Sequence, residues 1–254
     1  MTGEIQARLF SWGARALYLG PALNLSPHRN AVAVLALALT GSFRLARDAE
    51  NLGQGYEAHR SALIAPGALH HLIAEGPMAF LYLDAASRDL QNIRACCRRP
   101  GHGADFDLEG EMALAARLSG VARGAVSWAD ARAELDALLR PQRAAVDRRV
   151  RQALARMHAA PAARPSLSEL AATAGLSTSR FIHLFKAATG VPLRRYKMWL
   201  AVGAAMRELS GGANLTQAAL GAGFSSSAHF SSAFRDMFGM EPSRLAGTAM
   251  TRRS

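Results

Sequence analysis

Lysine is almost absent from this chain: of its 30 basic side chains only Lys186 and Lys197 are lysines, the rest arginines. Cysteine is confined to the adjacent pair Cys96 and Cys97. Neighbours in sequence rarely reach disulfide geometry without strain, which excludes a disulfide framework. Long apolar runs are missing as well. The longest, from Ala31 to Leu39, is too short to span a bilayer, and the opening MTGEIQARLFSWGARALYLG has no extended apolar stretch of the kind a secretory signal needs. A cytoplasmic chain with no membrane partner is expected. Acidic residues are scarce in one half only. Residues 1–146 hold 14 Asp and Glu against 15 Arg and Lys, whereas residues 147–254 hold 5 against 15. Nearly all of the formal charge of +11 therefore sits on the second segment, and a single-sign field on one small region points to a polyanionic partner. A genome that favours arginine accounts for arginine over lysine but not for this asymmetry.

That basic segment contains a tract that occurs twice. LAATAGLSTSRFIHLFKAATG runs from Leu170 to Gly190, and AALGAGFSSSAHFSSAFRDMFG from Ala218 to Gly239. Each copy has a small residue four before a glycine, Ala171 before Gly175 and Ala219 before Gly223, so that two short helices can approach and the chain can turn between them. Each turn leads into an amphipathic helix. One such unit is a weak signal; two about fifty residues apart are much stronger.

Before the repeats the pattern is shorter in period. Between Leu17 and Asp84, apolar stretches such as Val32 to Leu39, Phe43 to Leu45, Ala62 to Ala65 and Ala79 to Leu83 are punctuated by Thr40-Gly41, Gly53-Gln54-Gly55 and Pro66-Gly67, which predicts short strands in a small barrel or sandwich. From Ala86 to Leu139 the period becomes helical, with Leu114, Leu118 and Val121 on one face and Leu135, Leu138 and Leu139 on another, and the loop RRPGHGADF, Arg98 to Phe106, interrupts it early. These helices either pack on the barrel or pair two subunits as a homodimer. Pro141 ends the region. Val146, Val150, Leu154 and Met157 then form one stripe of a further helix, His158 to Ser166 reads as a linker turn, and Ser166 with Glu169 has the spacing of a capping box.

In the first candidate recognition helix Phe181, Leu184 and Phe185 form the apolar side, which leaves Thr178, Ser179, Arg180, Ile182, His183 and Lys186 to face DNA. In the second, Phe230, Ala233, Phe234, Met237 and Phe238 form the core stripe, with Ser226, Ser227, Ala228, Ser231, Ser232 and Arg235 outward. Bulky residues hold such a helix on its partner while short polar ones let it sink into the major groove. Between the two units, Pro192 to Ser210 reads as a single helix about 30 Å long, close to the ~34 Å repeat of B-DNA. One chain can therefore enter two successive major grooves, with Arg194, Arg195 and Lys197 as candidate phosphate contacts.

These residues resemble the AraC/XylS transcription regulators. The likeness covers Val146 to Leu245 and is most specific in GFSSSAHFSSAFRDMFGMEPSRL, Gly223 to Leu245, with LSELAATAGLSTSRFIHLFKAATGVPLRRY, Leu167 to Tyr196, as the matching first half. By that resemblance Ser179, Ile182 and His183 occupy the reading positions of the first unit, and Ser227, Ala228 and Ser232 those of the second. The chain differs from many members in having no arginine at His183 or Ser232. The amino-terminal half is similar to the cupin-like sensing domain of the same family, with Ala65 to His71 as a strand, turn and strand. His28, His70 and His71 lack a clear carboxylate partner, so no metal or other cofactor is expected.

The expected fold is α+β: a cupin-like β-barrel that senses an effector (1–95), a helical linker (96–145), and an all-α double helix-turn-helix DNA-binding domain (146–254). The expected partners are double-stranded DNA, a small-molecule effector held by His28, Arg29, His70 and Tyr82, and, for an activator, RNA polymerase. A cupin-type enzyme fused to a DNA-targeting module and a non-specific architectural DNA binder are the alternatives. The incomplete ligand set argues against the first and the lack of exposed wedge residues against the second.

Overall fold

The computed structural model describes residues 5–47, 55–139, 147–159, 165–245 and 249–252. The turn expected at 53–55, the helix stop at Pro141, Val146 and most of the linker from His158 to Ser166 lie wholly or partly outside those residues. The amino-terminal half opens with strands β1 (Arg8–Trp12), β2 (Arg15–Gly20), β3 (His28–Arg29), β4 (Val34–Ala38), β5 (Phe43–Arg47), β6 (Glu57–His59), β7 (Ser61–Ile64), β8 (Leu69–Ala74) and β9 (Met78–Tyr82). Helix α1 (Asp89–Ala95), strands β10 (Cys97–Arg99) and β11 (Ala104–Leu108), and helices α2 (Glu111–Ala122) and α3 (Trp128–Leu139) follow. The carboxy-terminal half is helical: α4 (Arg148–Ala159), α5 (Leu167–Thr173), α6 (Thr178–Thr189), α7 (Leu193–Ser210), α8 (Leu215–Gly221) and α9 (Ser227–Phe238), then a short 3-10 turn at Pro242–Leu245 and a last strand, β12 (Ala249–Arg252).

The strands form an eight-stranded sheet in the order β10-β11-β7-β4-β9-β2-β1-β12 and a four-stranded sheet in the order β3-β8-β5-β6. The sheets face each other across one apolar interior, where Val34, Ala36 and Phe80 of the larger meet Phe43, Leu45 and Leu72 of the smaller. No ladder joins them among the described residues, so the barrel is cupin-like but open. The larger sheet is covered on both faces. Along β4 all five residues are buried: Val34, Ala36 and Ala38 belong to the interior, Leu35 and Leu37 to a second layer built by α1, α2 and α3. Burial on both sides is why this stretch reads as a continuous apolar run and not as an alternation.

The helical region therefore packs on the barrel, and the stripes Leu118/Val121 and Leu135/Leu139 are buried there. It is not helical throughout. The stretch Arg98 to Phe106, expected as a loop within the linker region, instead carries most of β10 and the start of β11, both strands of the larger sheet. Asp107 takes a left-handed conformation (φ 59), which breaks the alternation: Phe106 faces the barrel interior and Leu108 the helical layer.

Candidate DNA interface and interdomain cavity

The two repeats fold as two helix-turn-helix units with the same local chemistry. Gly175 and Gly223 turn the chain at φ 62 and φ 78, and the next amide donates back to the small residue of the first helix, Leu176 N to Ala171 O at 3.0 Å and Phe224 N to Ala219 O at 2.9 Å. Ser177 and Ser226 cap α6 and α9 by accepting from Arg180 N and His229 N. Gly190 and Gly239 end the same helices in the left-handed conformation, at φ 71 and φ 70, where a residue with a side chain is strained. The capping box from Ser166 to Glu169 forms on α5, and a second one, from Asn214 to Gln217, starts α8. The second turn is one residue longer, since 48 residues separate the turn glycines and 49 the cap glycines.

The apolar stripes lie as their spacing implies. Phe181, Phe185, Phe230 and Phe234 are fully buried, and the two rings of each helix meet at 5.9 and 5.8 Å. Thr178, Ser179, Arg180, Ile182, His183 and Lys186 are exposed on α6. On the second unit Ser226, Ala228, Ser232 and Arg235 are exposed, and Ser227 and Ser231 half-buried. Arg235 donates to Glu241, so its charge is partly neutralised. Arg194 is exposed. Arg195 is not: it donates to Asp236 of α9 at 3.1 Å and to the main-chain oxygen of Arg29 in β3, which makes it a bridge between domains and not a phosphate contact. The register along α7 explains this, because successive positions turn by about 100° and Arg194 and Arg195 cannot share a face.

Where the two halves meet, the structure encloses a cavity of about 830 Å³. Its floor is the inner face of the larger sheet at the open end of the barrel, with Leu9, Ala16, Tyr18, Phe80 and Tyr82. Its roof is the DNA-binding half, with Trp199, Val202, Gly203, Met206 and Arg207 of α7 and Phe234 and Phe238 of α9. Arg15 lies on the rim and is committed to Asp89 through bonds of 2.6 and 2.8 Å. Burial raises the Tyr82 phenol above its ordinary range and pushes that of Tyr18 up to about 12, so both hydroxyls stay protonated.

Of the four residues expected to hold an effector, Tyr82 lines this cavity. His28, Arg29 and His70 do not. His28 and His70 are buried against each other with rings 4.3 Å apart, His70 donates from Nδ1 to Ala68 O and accepts at Nε2 from Asn30 Nδ2, and Arg29 donates to Gly67 O at 2.9 Å. β3 carries His28 and Arg29 and β8 carries His70, and both belong to the small sheet, whose described strands contribute nothing to the cavity lining; the strand pattern alone does not show which sheet faces the cavity. Burial pushes the His28 ring down to about 3 and the His70 ring to about 4, so both are neutral. Among the described residues no group of three His, Cys, Asp or Glu is placed to hold a metal, and no helix is long and apolar enough to cross a membrane. The roof residues Trp199, Gly203 and Arg207 were not anticipated. Their signal was the unbroken apolar stretch Met198 to Val202 inside α7, since a helix apolar around its circumference is covered on more than one side.

Residues 170–247 match the family model of a helix-turn-helix domain. The carboxy-terminal domain is an AraC-type DNA-binding domain. The sheet-rich half in front of it lies outside that match. ToxT from Vibrio cholerae O395 has the same fold over both halves, with a TM-score of 0.58 at 10% identity, covering 92% of this chain and 97% of that one. The unsaturated fatty acid bound form of ToxT from Vibrio cholerae strain SCE256 gives a TM-score of 0.54 at 10% identity and the same coverage. An AraC-type regulator from Chromobacterium violaceum is 28% identical over 39% of this chain and 89% of that one, with a TM-score of 0.37. No curated protein matches the sequence.

Proposed function

We propose that this AraC-type regulator is controlled by a small apolar carboxylate held in the cavity between its two halves, and that α6 and α9 read two successive major grooves. The observation that carries the reading is the shared lining: an occupant touches the sheet and the DNA-binding helices at once, so its affinity depends on how they sit together. A ligand shifts a conformational equilibrium only through such differential contact. The rings of Tyr18, Phe80, Tyr82, Trp199, Phe234 and Phe238 line the cavity, which suits an apolar body. Arg207 on the wall supplies positive charge for a carboxylate. Two ligands seen in ToxT, an unsaturated fatty acid and (E)-4-(8-methylnaphthalen-1-yl)but-3-enoic acid, share that design. On this reading the amino-terminal half senses and does not catalyse. RNA polymerase is a further partner if the chain activates.

The test uses the full chain. Palmitoleate and naphthylacetate are expected to raise its Tm by mass action and to change its affinity for sites selected from random DNA. Gly203→Leu projects an apolar side chain into the cavity beside Arg207, the one group among the described residues within 4 Å of a Cβ there, and is expected to weaken both effects. Equal shifts in the wild type and Gly203→Leu, or none with either compound, remove the cavity as the effector site.

A further inference from the structure

Gly190 and Gly239 do the same job at the ends of the two recognition helices, yet their surroundings differ. Gly190 is exposed, and a Cβ added there has nothing within 4 Å. Gly239 is buried against the small sheet. Its carbonyl accepts from Ser26 N at 2.7 Å, and an added Cβ would collide with Ser26 O and approach His28 Nδ1 to 2.6 Å. Ser26 O is itself 2.9 Å from that Nδ1, so neither neighbour has room to retreat. Arg195 closes the same seam, bridging Asp236 of α9 and the Arg29 carbonyl, while its Nε, buried, has no partner among the described residues. The residue before Gly239 is Phe238, a wall of the cavity, packed on Tyr82 at 5.5 Å and Trp199 at 5.9 Å.

We propose that the seat of Gly239 on Ser26 and His28 is the joint through which the cavity acts on DNA binding, so that the effector domain grips the second recognition helix and leaves the end of the first unclamped. An occupant that displaces Phe238 moves the next residue, Gly239, and with it α9; α6 has no such link at its own cap. The regulatory half of this inference rests on the effector reading above, while the asymmetry of the two caps does not.

The two glycines form a matched pair for the test. Gly190→Ala and Gly239→Ala introduce the same left-handed strain at the same cap position, but only the second forces the seat apart. In the full chain, hydrogen exchange at Ser26 to Arg29 is expected to accelerate on the order of tenfold or more in Gly239→Ala and to stay at the wild-type rate in Gly190→Ala. Arg195→Gln, which keeps the cap intact, is expected to accelerate the same amides and guards against a Gly239→Ala protein that fails to fold. Equal acceleration in both glycine variants, or none in Gly239→Ala and Arg195→Gln, overturns the seat. For the coupling, palmitoleate is expected to change exchange along α9 in the wild type and not in Arg195→Gln. Binding of palmitoleate, seen as a Tm shift, with no change along α9 overturns the joint while leaving the effector reading in place. Absence of binding removes the effector reading and the regulatory role together.

Discussion

Two copies of one local design have been put to different uses in this molecule. Each unit has a small residue before a turn glycine, a serine cap, two buried phenylalanines and a left-handed glycine at its end. The first unit collects its apolar side chains into a cluster with α4 and the start of α7, which among the described residues reaches the amino-terminal half at Val32, Tyr82, Ala85 and Ala86. The second unit shares a cluster with the barrel interior itself, in which Phe230 and Phe234 are continuous with Phe80 and Phe43. The outward faces diverge too, with Ile182, His183 and Lys186 on the first against Ser231, Ser232 and Arg235 on the second. Identical local rules thus yield one unit suited to reading DNA and one suited to being held.

The sharpest way to break this comparison is to delete the same ring from both copies. Phe181→Ala and Phe230→Ala should each cost about 3 to 5 kcal/mol, as large-to-small changes at fully buried aromatics do. Their reach should differ. Exchange should speed up within α5 and α6 for Phe181→Ala, and extend into β2 and β9 for Phe230→Ala. If both effects stay within their own unit, the second is no more tied to the barrel than the first.

Acid should separate the units next. His28 and His70 lie beneath the second unit, with His71, Arg29 and Arg195 as the charged or titratable groups around them. Their pKa values are lowered in the folded state, to about 3 and about 4, so below the unfolded value near 6.5 the unfolded chain binds more protons and stability falls with pH. The two together steepen the loss toward about 2.7 kcal/mol per pH unit between roughly pH 6 and pH 4. His158, which meets Tyr196 beside the first unit, is shifted in the same direction by burial and stands alone there. Denaturant titrations of His70→Gln should show a slope lower by about 1.4 kcal/mol per pH unit; an unchanged slope would show that the ring is solvated.

Specificity should differ by a smaller amount. His183→Ala is expected to relax discrimination at one or two base pairs by ~1 to 3 kcal/mol, whereas Ser232→Ala changes it little, because a lone hydroxyl accepts or donates to several bases. Equal losses in a binding-site selection would make the two faces equivalent readers. The smallest effect should be the shared one: Ser177→Ala and Ser226→Ala each remove an N-cap worth about 1 kcal/mol, measured as equal drops in Tm. Unequal drops would mean that the caps differ in their surroundings as the cap glycines do.

Most of the helical domain was legible in advance. Gly175, Gly223, Ser166 with Glu169, and the Phe181/Phe185 and Phe230/Phe234 stripes are local signals, each set by the backbone geometry of a few neighbouring residues. The capping box at Asn214 and Gln217 had the same kind of signal and was overlooked. The candidate site was less legible. Tyr82 belongs to the cavity, but His28, Arg29 and His70 were expected there as polar groups at the mouth of the barrel, and polarity does not tell which end of a barrel is open. Likewise Arg195 and Arg194 look alike in sequence, yet one faces solvent and the other the Arg29 carbonyl. β11 had a signal that was overlooked, the strict alternation Ala104-Asp105-Phe106-Asp107-Leu108, whereas β10, three residues long, is too short to show a period.

What the sequence determined by itself is therefore whatever depends on periodicity and on residues a turn or two apart: helices, caps, turns, which side of each element is apolar, and the basic charge of the DNA-binding half. Which apolar side meets which was decided by the tertiary structure alone. Gly239 against Ser26 and Trp199 over Tyr82 join positions remote in the chain, and both lie where the open barrel and the DNA-binding helices would leave apolar surface in water unless they covered one another. Periodicity marks a surface to be buried; only shape, charge and the space left between two such surfaces select its partner and leave a cavity there.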